Sequence, residues 1–148
     1  MNTMKKNGGF TLVELIIVIA ILAILSTGAI AGYSAYIKNA NNAAVEAVLS
    51  DISTSAVLAN ARGGAVSSIV ATVVDGKLQV VVTLDNAATD FESNFETSLK
   101  VGTKDKTELN DKVYTGTLEL PKAWSNSKYV DEGIKGATWN GSKWEQLK

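Results

Sequence analysis

Glu14 is the one charged side chain in a long apolar stretch that begins Phe10-Thr-Leu-Val-Glu14-Leu-Ile-Ile-Val-Ile-Ala-Ile-Leu, and no further charge follows until Lys38. A carboxylate costs about 2.5–3.5 kcal/mol at the centre of a membrane helix and less near an end. The chemistry such a residue can do there is electrostatic: it is an anion in want of a cation. Just upstream lie Lys5, Lys6, Gly8 and Gly9, a short, polar and basic leader. Elsewhere the equipment for catalysis is thin. The chain has no His and no Cys, which removes the commonest general base, the commonest metal ligand, Ser–His and Cys–His nucleophile pairs, and disulfides. Asp105, Glu108 and Asp111 cluster, but Lys104, Lys106 and Lys112 are interspersed and the spacing is not that of an EF-hand loop. They read as a solvated charged loop, with no metal site and no cofactor. A formal net charge of −1 leaves no basic footprint for nucleic acid. The chain reads as a non-enzyme.

Positioning Glu14 falls to a helix. Residues 15–37 carry no charge and are numerous enough to cross a bilayer, and the two lysines ahead of them orient the N-terminus toward the cytoplasm. Three readings compete. In a secretory signal peptide, Lys5 and Lys6 form the n-region, and Ala29-Ile-Ala31 before Gly32 forms a small-residue cleavage site that releases an adhesin or binding domain. A plain single-span anchor is the second. Neither gives Glu14 a use. In the third, the segment Gly9-Phe10-Thr11-Leu12-Val13-Glu14 resembles the processing motif of type IV prepilins and the related pseudopilins of secretion and competence systems.

The resemblance implies that a membrane prepilin peptidase cuts the bond between Gly9 and Phe10 on the cytoplasmic side and that the new terminus is N-methylated. The apolar helix then stays in the mature protein. Cleavage leaves a cationic amine on Phe10, and Glu14 of a neighbouring subunit can neutralise it. Because a buried charge without a partner is strongly unfavourable, that pairing rewards one axial register. The implied partners are identical subunits in a helical homopolymer, the peptidase, an inner-membrane assembly platform and, before assembly, membrane lipid. The implied locations are the cytoplasmic membrane first and an extracellular pilus afterwards. Motility and adhesion are among the uses such filaments serve.

The helical pattern continues past the apolar stretch. Ile37, Ala40, Ala44, Val48, Ile52, Ala56 and Ala59 recur at spacings of three or four, with Val45 and Leu49 widening the stripe. Arg62-Gly63-Gly64 supplies a terminal cation and glycine to stop. One helix over residues 10–62 would run roughly 80 Å at 1.5 Å per residue. Within it, Gly28 and Gly32 form a G-x-x-x-G pair that lets helices approach closely, although small residues abound nearby. Tyr33 and Tyr36 fall near the end of the apolar half, where packing at an interface suits them.

From residue 65 the pattern turns to alternation. Residues 68–74 and 78–84 flank Asp75-Gly76, a hairpin signal. Thr89-x-x-Glu92 reads as a capping box, followed by Phe91, Phe95 and Leu99 on one helix face. Residues 101–111 read as a loop, 112–120 as a third strand ended by Pro121, and 122–136 are ambiguous. An Asn140-Gly141 hairpin closes the chain and puts Trp139 and Trp144 on one face, either in the core or as surface aromatics for a receptor or glycan. The expected architecture is α+β and pilin-like: one long helix on a small antiparallel sheet. Its parts are a leader (1–9), a transmembrane or filament-core half-helix (10–37), an amphipathic half-helix (38–62) and a β-rich head (65–148).

Overall fold

The structure, a computed structural model, describes residues 8–99, 108–110 (backbone only) and 112–147. Lys5, Lys6 and most of the charged loop, with Asp105 and Asp111, lie outside the described residues. The chain divides into two compact units, Met1–Ile37 and Lys38–Lys148. Helix α1 (Leu12–Ala59) contributes residues to both.

In the second unit, α1 packs a stripe of Val45, Leu49, Ile52, Ala56 and Ala59 into the core. These positions recur every three or four residues, so they share one helix face. Burying each of the larger ones contributes about 1.5–3 kcal/mol. The expected stripe was displaced over its first turns: Ala40 and Ala44 are exposed, and Val45 carries the burial instead. Polar contacts dominate that N-terminal part. Lys38 pairs with Asp131, Asn41 Nδ2 donates to the Asn126 carbonyl at 3.2 Å, and Asn42 Oδ1 accepts from the Lys128 N–H at 2.7 Å. Lys128 Nζ reaches Glu46 at 2.7 Å.

The helix ends at Ala59, short of the expected Arg62. The stop is Asn60, which is fully buried. Its Nδ2 donates to the Asn86 and Gly64 carbonyls at 2.9 and 3.2 Å, and its Oδ1 accepts from the Ala88 N–H at 2.8 Å. One side chain thereby satisfies backbone groups from two loops that would otherwise be buried unpaired. Gly63 closes against the same junction, where a Cβ would sit 2.2 Å from Ala88 N.

Six antiparallel strands form one sheet, in the order β3-β4-β2-β1-β5-β6. They are β1 (Val66–Val74), β2 (Lys77–Leu84), β3 (Glu108–Asn110), β4 (Val113–Glu119), β5 (Gly136–Trp139) and β6 (Trp144–Leu147). Asp75 and Gly76 both adopt positive φ, 49° and 74°, as the two-residue turn between β1 and β2 requires. Period-two alternation puts Leu78, Val80, Val82 and Leu84 of β2 in the core. Across the ladders, Val82 faces Ile69 of β1 and Tyr114 of β4. The fold is α+β and pilin-like, as the alternation and the long helix predicted. Residues 108–110 are an edge strand rather than loop.

Helix α2 (Phe91–Ser98) stacks Phe91 on Phe95 and sets both rings edge-on to Tyr114, with centroids 5.5 and 5.0 Å away. The apolar face was legible in the sequence; the cap was not. Asp90 is the N-cap, Thr89 lies outside the helix, and no side chain caps it. The ambiguous residues 122–136 hold a 3-10 turn (Lys122–Asn126) and a single helical turn, α3 (Lys128–Asp131). The C-terminal hairpin is shifted by one residue from expectation. Trp139 pairs directly with Trp144 and the Asn140 N–H donates to the Lys143 carbonyl, so the turn is Gly141-Ser142. Asn140 closes it, its Oδ1 accepting from the N–H groups of Ser142 and Lys143.

Candidate functional site

The residues around the expected cleavage point precede α1 and are open to solvent. Gly8, Gly9 and Phe10 have no regular secondary structure, and Phe10 is 90% exposed. A Cβ built on Gly9 would meet nothing within 4 Å, so no contact among the described residues requires glycine there.

Helix α1 opens at Leu12 with Thr11 as its N-cap. Glu14 Oε2 accepts from the Thr11 N–H at 2.8 Å and from the Thr11 hydroxyl at 2.9 Å, and the Glu14 N–H donates back to Thr11 Oγ1 at 3.2 Å. This is the reciprocal pattern of a capping box, Thr at the cap and Glu three residues on. The carboxylate also lies where the positive end of the helix macrodipole favours an anion. Thr11 is the functional-segment residue that sequence reasoning passed over. Its signal, Thr-x-x-Glu, is the same one that Thr89-x-x-Glu92 carries, where no side chain caps the helix.

Past the cap, residues 12–40 are exposed throughout. They include Leu15, Ile16, Ile17, Val18, Ile19 and Leu22, each at least 48% accessible. The segment is long and apolar enough to cross a membrane, and none of that window is buried within the chain. Ser26 Oγ and Thr27 Oγ1 return their hydroxyl protons to the Leu22 and Ile24 carbonyls, at 2.6 and 2.8 Å, which removes their polarity from the helix surface. Gly28 and Gly32 also have open space where a Cβ would be. Whatever demands small residues there, it is not packing inside this chain.

The family described as the prokaryotic N-terminal methylation motif matches residues 4–30, a span that takes in Gly9, Phe10, Glu14 and Gly28. The chain carries the signature of type IV pilins and pseudopilins. No solved structure matches it. The pilin signature thus covers the segment before and within the exposed half of α1, while the head stands on its own architecture. The motif is a prepilin peptidase cleavage and methylation site.

The remaining candidates are in the head. Trp139 is buried at 9% exposure and belongs to the core, so it is not a surface aromatic. Trp144 is half-buried, packs against that core and donates its indole N–H to Ser53 Oγ of α1 at 3.3 Å. Among the described residues no cluster of carboxylates could hold a metal ion.

Proposed function

We propose that this chain is a structural subunit of an extracellular type IV pilus, stored in the cytoplasmic membrane and polymerised through the apolar half of its N-terminal helix after cleavage between Gly9 and Phe10. The observation that carries this reading is the methylation motif running directly into a half-helix whose apolar side chains, over residues 12–37, are exposed among the described residues. So much exposed hydrocarbon is tolerable in lipid before assembly and against copies of itself afterwards.

Cleavage would put an ammonium group on Phe10, beside the N-terminus of α1. A helix N-terminus disfavours a cation, and the apolar surroundings of a filament core deny it water. Glu14 supplies the compensating charge. In the separate subunit that carboxylate is held by Thr11, so assembly transfers it, wholly or in part, from its own cap to the amine of a neighbour. The partners are the peptidase and methyltransferase, the assembly platform and identical subunits.

Mass spectrometry of the mature protein tests the processing step. The expected product begins with N-methylated Phe10, and a terminus at Gly32 overturns the reading in favour of a released signal peptide. A pseudopilin shares the same signature. Electron microscopy of sheared surface material separates the two, since long filaments are expected of a pilus.

A further inference from the structure

The head has an open cleft of about 520 Å³ where α1, α3, β5 and β6 meet. Its buried lining is Leu49, Ala137 and Tyr129, and Trp144 adds a half-buried indole. The polar groups on its margin are Glu46, Lys128, Glu145 and Gln146. Its size is that of a small-molecule site, with room for a ring and its substituents.

We propose that this cleft binds a neutral pyranose sugar. The charges decide against an ionic ligand. Glu46 is paired with Lys128 at 2.7 Å and Glu145 with Lys143 at 3.1 Å, so a charged guest would have to break a pair to gain one. What the margin offers instead is planar hydrogen-bonding groups. The Glu46 carboxylate accepts from hydroxyls, and the carboxamide of Gln146, which alternation puts on the same face of β6 as Trp144, both donates and accepts. The indole supplies the apolar half of the recognition. Because Trp144 Nε1–H is committed to Ser53 Oγ, the indole's donor is spent on α1 and its surface lining the cleft is hydrocarbon. An aromatic surface against the C–H face of a sugar ring, with carboxylate and amide groups at its edge, satisfies a guest that is apolar on two faces and hydroxylated around its rim. A purely apolar guest would strand the margin groups, and an anion would meet the Glu46 carboxylate. The proposal is independent of the filament reading, because it uses only residues beyond the exposed half of α1.

The test uses the full chain in a detergent without a sugar headgroup, titrated with D-glucose, D-galactose and N-acetyl-D-glucosamine while the indole N–H resonances of its three tryptophans are followed by NMR. The expected result is a saturable shift of the Trp144 resonance with at least one of the three sugars, with a midpoint of ~10 mM or tighter. It should weaken at least about tenfold in Gln146→Ala, an exposed substitution that leaves the core intact. Sorbitol, which has the hydroxyls but no ring face, should give no saturable shift. The proposal is overturned if none of the sugars shifts Trp144 saturably, if sorbitol does so equally, or if Gln146→Ala binds as the unaltered chain does.

Discussion

The Glu14 carboxylate accepts hydrogen bonds from both the N–H and the hydroxyl of Thr11, at 2.8 and 2.9 Å, three residues back along its own chain. A glutamate at the head of an apolar helix therefore has a use in a single subunit: it closes the first turn. A plain anchor thus has a use for this charge as well. It is the whole methylation motif, not the glutamate by itself, that separates a pilin-type segment from an anchor.

The two uses of Glu14 can be separated by removing its cap partner. Thr11→Val deletes the hydroxyl but keeps the carboxylate; Glu14→Ala deletes the carboxylate. Losing the cap costs ~1 kcal/mol of helix stability in either case. Filament yield measured by shearing and quantitative blotting should fall modestly in Thr11→Val and severely in Glu14→Ala, with cleavage retained in both. Equal yields in the two variants would mean that Glu14 acts through capping alone.

Gly28 and Gly32 provide a second discriminating pair. A side chain at either meets nothing in the subunit, and leucine is a better helix former than glycine by roughly 0.8 kcal/mol. Gly28→Leu and Gly32→Leu should therefore leave helix content by circular dichroism unchanged or slightly raised. The same variants should reduce filament formation if close helix approach between copies is what the glycines serve. Normal filaments from both would remove that role.

Asn60 should behave as a keystone of the head. Asn60→Ala would strand the Ala88 N–H and the carbonyls of Gly64 and Asn86 in a buried junction. The expected loss is about 2–4 kcal/mol, read as a lower urea midpoint for the full chain in detergent. A shift corresponding to less than about 0.5 kcal/mol would show that water or loop rearrangement re-satisfies those groups.

Alkaline pH should loosen the contact between α3 and α1. The hydrogen bond to the Glu46 carboxylate raises the Lys128 ammonium above its usual 10.5. Burial raises the Tyr129 phenol above its usual 10.0. In both, the folded state holds its proton more tightly than the unfolded state does. The stabilisation is complete below the ordinary values and is lost as pH rises past them. Thermal midpoints should be flat below about pH 9.5 and should fall above it, less steeply in Lys128→Met and Tyr129→Phe. A midpoint that does not change through that range would contradict both shifts.

Local chemistry explains which parts of the fold could be read in advance. Asp75-Gly76 announces its turn because both residues must take positive φ, and Phe91 and Phe95 announce their face by helical spacing. Asn140-Gly141 misled by one residue, because the Asn side chain does better capping the turn from outside than sitting in it. The helix end was misplaced for a similar reason. Two glycines looked like the stop, but the decisive residue is an asparagine whose partners come from a loop far along the chain. The cleft was invisible because Glu46 of α1, Tyr129 of α3, and Trp144 and Gln146 of β6 are brought together only by tertiary packing. Nothing local tells β5 to lie beside β1. At the N-terminus the motif was legible at once, and what it hid was the cap partner, Thr11.

Strand β1 pairs on one side with β2, its immediate successor, and on the other with β5, where Ile69 meets Trp139 near the end of the chain. A chain made from its N-terminus onward can close the first hairpin at once, but the second flank of β1 stays bare until almost the last residues arrive. A bare central strand is a template for pairing with any other chain in the same condition. The period between the first hairpin and completion is therefore the hazardous one. A product truncated before Gly136 would be no smaller version of the head. It would be an adhesive fragment, and quality control that inspects the C-terminus would be inspecting the part that makes the rest safe.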